Sequence, residues 1–142
     1  MALLTRRQHA RRDGLVAGAV GGVVGGIPST VWALLRGGDP LEATLAAGSI
    51  VLPRENRRGR LAAAAVPVHA ALSLGWGIAL ARTLPRRPSP WLGVAAGLGI
   101  GVLDLALGRR LFPRIRALAL LPQLADHAGF GAAVASVLAR RP

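Results

Sequence analysis

The stretch from Gly14 to Leu35 constrains everything else in this chain. It holds no charged residue, and Gly14, Gly18, Gly22 and Gly26 recur along it at intervals of four. A helix of that length, rising ~1.5 Å per residue, crosses the ~30 Å hydrocarbon core of a bilayer. Where Cβ atoms are missing along one ridge, a neighbouring backbone approaches closely, and in lipid such packing is a main source of helix association. The segment predicts a spanning helix with a flat, glycine-lined side and a compact membrane bundle built on it.

Composition points the same way. With 52% hydrophobic residues and a mean hydropathy of +0.46, the 142-residue chain is more apolar than a soluble domain of its size. Its net charge of +12 comes from eighteen arginines and no lysine against six acidic residues. Such a balance raises nucleic-acid binding, but the arginines sit at the borders of apolar runs (Arg11, Arg12; Arg36; Arg54, Arg57, Arg58; Arg86, Arg87; Arg109, Arg110; Arg140, Arg141). That is where cations face anionic headgroups, and neither a recognition helix nor an aromatic platform accompanies them. The expected partner is therefore a lipid bilayer and not a nucleic acid. Without cysteine, disulfides, thiolate metal sites and iron–sulfur clusters are excluded. Arg6 and Arg7 precede a hydrophobic run too long for the core of an export signal and lacking a small-x-small cleavage site, so the first span reads as retained.

Residues 1–13 read as a basic, solvent-facing tail and residues 14–140 as one transmembrane domain. The first span, 14–35, should bend at Pro28, with Ser29 or Thr30 bonding the freed carbonyls. Asp39-Pro40-Leu41-Glu42 has the order of a capping box opening a short helix over 40–52, which Pro53 stops and which is too short to span. Spans over 61–81, broken early by Pro67, and 91–108 follow. A second short helix covers 113–121, ending before Pro122, and a fourth span covers 123–139. The fold class is all-α: a four-helix integral membrane bundle with two short interfacial helices.

The two halves resemble each other. Gly18, Gly22, Gly26 and Ser29 match Gly93, Gly97, Gly101 and Asp104 in spacing, although the glycine register fits equally when shifted by four. His69-Ala70 and His127-Ala128 each precede a Leu-Ala-Arg at the same distance. A tandem two-helix duplication places the halves about an axis along the membrane normal. Gly14-x-x-Ala17-Gly18, His69-x3-Ser73-x-Gly75-Trp76-Gly77 and Asp126-His127-x2-Phe130-Gly131 resemble segments of small uncharacterised actinobacterial four-helix membrane proteins, more distantly similar to the YagU-like inner-membrane group. That resemblance implies four helices in a bacterial inner membrane and carries no established activity.

With antiparallel spans, Ser29, Thr30, His69, Asp104, Asp126 and His127 fall at comparable depth and can form a polar layer. Two readings compete. His69, Asp104, Asp126 and His127 could hold a divalent metal such as zinc, or relay protons for transport or catalysis, since ionisable groups within a membrane are functional candidates. The same residues could form a structural hydrogen-bonded network between helices. No compact metal motif is present, and no catalytic serine or cysteine arrangement can be defended. The expectation is a structural or partner-binding bundle without enzymatic activity, and the glycines at 18, 22, 26, 93, 97 and 101 are expected to pack helices or a partner, including a second copy. If both termini face the cytoplasm, nine arginines fall on either side, so the basic tail before the first span decides the orientation.

Overall fold

The computed structural model describes residues 2–141, with side-chain surroundings from residue 9 onward. Among these residues there are seven helices and no strand: α1 (Ala2–Gly25), α2 (Ile27–Leu35), α3 (Glu42–Gly48), α4 (Arg58–Thr83), α5 (Pro90–Leu111), α6 (Pro113–Ala117) and α7 (Leu120–Ala139). Three stretches are long and apolar enough to cross a bilayer: His9–Leu35, in which α1 and α2 follow one another, then α4 and α5. α7 has 20 residues but carries Gln123, Asp126 and His127 in its first turns, and it is not one of those three.

Helix boundaries follow the prolines and caps. α5 opens on Ser89, whose Oγ accepts the Leu92 N–H at 3.2 Å, with Pro90 in the first turn. The bend expected at Pro28 is a break just before it, between Gly25 and Ile27. A proline in a first turn removes an amide that would have no helical partner, so Pro28 fits the start of α2 better than the middle of a longer helix. For the same reason Pro122 lies inside α7, which begins at Leu120 and not at Gln123, while α6 already ends at Ala117. α3 is also shorter than the sequence predicts. The Asp39 carboxylate accepts the Leu41 N–H at 3.0 Å but pairs with Arg58, so the helix starts at Glu42, and turns replace it after Gly48. The basic stretch expected as a tail is helical from Ala2, because extending an existing helix costs less than nucleating one. Arg11 and Arg12 are exposed as expected, and the side chains of Arg6 and Arg7 lie outside the described residues.

α1 lies between α4 and α7, and α7 lies between α1 and α5. Two of these contacts depend on missing side chains. Between α1 and α4, a Cβ on Gly18 would overlap the Ser73 carbonyl, and one on Gly77 would overlap the backbone of Gly14 and Gly18. Between α5 and α7, a Cβ on Gly97 would overlap the His127 carbonyl, and one on Gly131 the backbone of Gly93 and Gly97. Gly22 and Gly101 extend the two ridges toward the side chains of Ser73 and His127. Gly26 has open space around it, so its place is the helix break and not a packing ridge. A second glycine edge of α1, at Gly21, receives the ring of Phe130 from α7.

The core these contacts enclose is small and drawn from four helices: Ala17, Leu80, Ala81, Ile100, Phe130, Val134 and Leu138. Much of the larger apolar surface points outward instead, with Val23 80% and Trp91 81% exposed. At one end of the helices Arg141 Nε lies 3.4 Å from Asp13 Oδ2, tying the last residues to α1. At the other end α3 crosses α4, where a Cβ on Gly48 would overlap the carbonyl of the fully buried Leu61.

Candidate functional site

The helix break between α1 and α2 is dressed by polar groups from two other helices. In an unbroken helix the Ser29 amide would bond a preceding carbonyl; here it donates to Asp126 Oδ1 of α7 at 2.8 Å. A carboxylate suits this place, because helix N-termini carry unsatisfied N–H groups and a partial positive charge. Thr30 Oγ1 donates to the Gly26 carbonyl at 2.9 Å and Ser29 Oγ to the same oxygen at 3.4 Å, as expected of hydroxyls beside a membrane proline. On the α1 side, His69 Nε2 donates to the Gly22 carbonyl at 2.8 Å. The two ends of the break thus receive a carboxylate at the N-terminus of one helix and an imidazole N–H near the C-terminus of the other.

A second polar group joins α4, α5 and α7. Trp76 Nε1 donates to Asp104 Oδ2 at 3.0 Å, and His127 Nε2 lies 3.6 Å from the same oxygen. His127 Nδ1 donates to the Gln123 carbonyl at 2.8 Å, one turn earlier on α7. That bond fixes the ring so that Nε2 is the nitrogen presented to Asp104. The 3.6 Å separation is an electrostatic contact and longer than a hydrogen bond.

Of the four residues considered as a metal or proton site, the structure brings Asp104 and His127 together. Asp126 and His69 go instead to the two sides of the helix break. The division has a geometric cause. Consecutive residues leave a helix about 100° apart, so Asp126 faces α2 while His127 faces α5. Among the described residues no three His, Asp or Glu side chains are placed to hold a metal ion. Ser29 and Thr30 belong to the break as expected. Trp76, named from the sequence only within the motif from His69 to Gly77, has a role that the sequence did not assign; the available signal was an indole N–H deep in an apolar helix, which needs an acceptor. Compared with known proteins, the chain matches no family model, no curated protein and no solved structure.

Proposed function

We propose that the protein is an integral four-helix bundle of a bacterial inner membrane, with a structural or partner-binding role and both termini in the cytoplasm. α7 is its fourth span. Its three polar residues do not forbid this, because Asp126 and His127 are spent on partners from α2 and α5. The carrying observation is the pair of glycine crossings, Gly18–Ser73 with Gly14–Gly77 and Gly97–His127 with Gly93–Gly131. Contacts that need backbone-to-backbone approach, beneath an outer surface as apolar as Val23 and Trp91, suit association in lipid.

The same crossings support a tandem duplication, in the register shifted by four: Gly14, Gly18 and Gly22 correspond to Gly93, Gly97 and Gly101, and Ser73 corresponds to His127. His69 then matches Gln123 and not His127. The resemblance to actinobacterial four-helix and YagU-like proteins fits this architecture. Lipids with anionic headgroups would contact the arginine borders, and a membrane-protein partner or second copy would use the outward apolar faces.

A second reading, proton transfer by the Asp104–His127 pair, is favoured by the single imidazole nitrogen held toward a carboxylate that also accepts from Trp76. One experiment separates the possibilities. Purified protein reconstituted into liposomes with an internal pH dye should float with the lipid and leave the proton leak unchanged. A folded monomer left in the supernatant without detergent overturns the membrane reading. A leak that His127→Ala removes replaces the structural role by proton transfer.

A further inference from the structure

Beside α3, where the helix-connecting segments gather, a cavity of about 420 Å³ opens among α3, the start of α4, α6 and Asn56. Its volume is within the usual range for small-ligand sites. Its bottom is closed by the buried Leu45, Ala46 and Leu61. Four charged residues line the rest: Asp39, Glu42, Arg58 and Arg114.

These charges are not equivalent. Asp39 and Arg58 satisfy one another through two bonds, one of them Arg58 Nη2 to Asp39 Oδ1 at 3.1 Å, and so form a neutral wall. Glu42 is in no ion pair among the described residues, and Arg114 is in none either. The Arg114 guanidinium is instead held from one side. Its Nη2 donates to Asn56 Oδ1 at 3.0 Å and to the Glu55 carbonyl at 3.5 Å, while its other nitrogens have no protein acceptor among the described residues. One cavity therefore carries an anion and a positioned cation that are not spent on each other. A neutral ligand with its own charges separated would complete both. Guanidinium favours a phosphate or carboxylate through paired N–H donors, and a carboxylate favours a primary ammonium.

We propose that this cavity binds a zwitterion with a phosphate and a primary ammonium on a short linker, the phosphate on Arg114 and the ammonium on Glu42. Phosphatidylethanolamine, a neutral diester, carries these two groups, and free phosphoethanolamine carries them too, with its monoester adding further negative charge near neutral pH. Only the choice of lipid as the source rests on the membrane reading: the cavity borders Leu61, where α4 turns from its arginine-rich start to its apolar run, which is headgroup depth in the bundle proposed above. The inference differs from general attraction of arginine borders to anionic lipid, because an unpaired Glu42 repels a net-negative headgroup.

The test uses the full chain in a neutral detergent and short-chain phosphatidylethanolamine, short-chain phosphatidylglycerol and free phosphoethanolamine as probes, titrated by calorimetry. The ethanolamine lipid should bind about tenfold more tightly than the glycerol lipid, the difference expected from one charge-assisted contact. Glu42→Gln, an exposed position whose change leaves the fold intact, should abolish that preference by weakening the ethanolamine lipid alone, and Arg114→Gln should weaken both lipids. Free phosphoethanolamine that displaces the lipid supports the headgroup chemistry from either source; failure to displace it, with lipid preference intact, supports the lipid as the source. Equal binding of the two lipids, or a preference that survives Glu42→Gln, overturns the proposal. Neither result bears on whether the chain sediments with membranes, so the two readings fail separately.

Discussion

Asp126 shows how a single side chain makes a broken helix tolerable. The Ser29 amide it accepts has no other acceptor at the start of α2, and the bond joins α7 to α2 across 97 positions of sequence. Asp126→Ala should leave that N–H unsatisfied and cost about 1–3 kcal/mol. Asp126→Asn, which keeps an acceptor oxygen, should recover most of the loss in thermal unfolding in detergent. Equal melting of the two variants would count against a capping role. Outside the apolar helices, Asp39 and Glu55 respond to pH. The hydrogen bond from Arg58 holds the Asp39 carboxyl below its ordinary range, and the Arg57 amide does the same for Glu55. Carboxyls depressed by folding stabilise the structure above the ordinary carboxylate range and lose that contribution as pH falls through their lowered values. The Leu41, Asn56 and Arg57 amides, which donate to these carboxylates, should therefore keep their hydrogen-exchange protection through the ordinary carboxylate range and lose it only below that range. Protection already lost within or above the ordinary carboxylate range, after correction for intrinsic exchange, would sink this expectation.

At the scale of elements, the crossing of α5 and α7 offers a clean contrast. A Cβ at Gly97 meets backbone that cannot swing aside, whereas one at Gly99, two positions along, meets open space. Gly97→Ala should destabilise the fold by about 1–3 kcal/mol through overpacking, while Gly99→Ala should be neutral or stabilise by up to about 1 kcal/mol through reduced backbone entropy. Similar effects at the two sites, measured by unfolding in detergent, would remove the close-approach argument. The ridges at Gly18 and Gly97 could be read from spacing alone, because a four-residue repeat within an uncharged run has few other uses. Their receiving glycines, Gly77 and Gly131, could not: each stands alone in its helix's repeat, and its value depends on which helix comes alongside. The same limit explains the candidate site. Depth follows from counting residues, but azimuth decides partners. One helical step sends Asp126 to the break and His127 to Asp104, and so divides a set that depth alone had grouped.

For the whole molecule, the arrangement of contacts is unequal. α4 and α5 lie toward the outside, each set against a glycine ridge or its counterpart, while α1 and α7 run through the middle and touch both each other and one outer helix. α7 also caps α2 and supplies Phe130, Val134 and Leu138 to the core. The apolar windows of the other long segments are only 28–33% buried, which leaves most of each window for a bilayer to cover. α7 follows the other six helices along the chain. During synthesis, α1 together with α2, then α4 and α5, are long and apolar enough to enter a bilayer by themselves, yet α5, without extensive contact with α1, lacks its main packing partner until α7 leaves the ribosome. α7 is then recruited by its neighbours, and a chain stalled before Leu120 would present quality-control proteases with the unguarded sides of α1 and α5, which α7 otherwise covers.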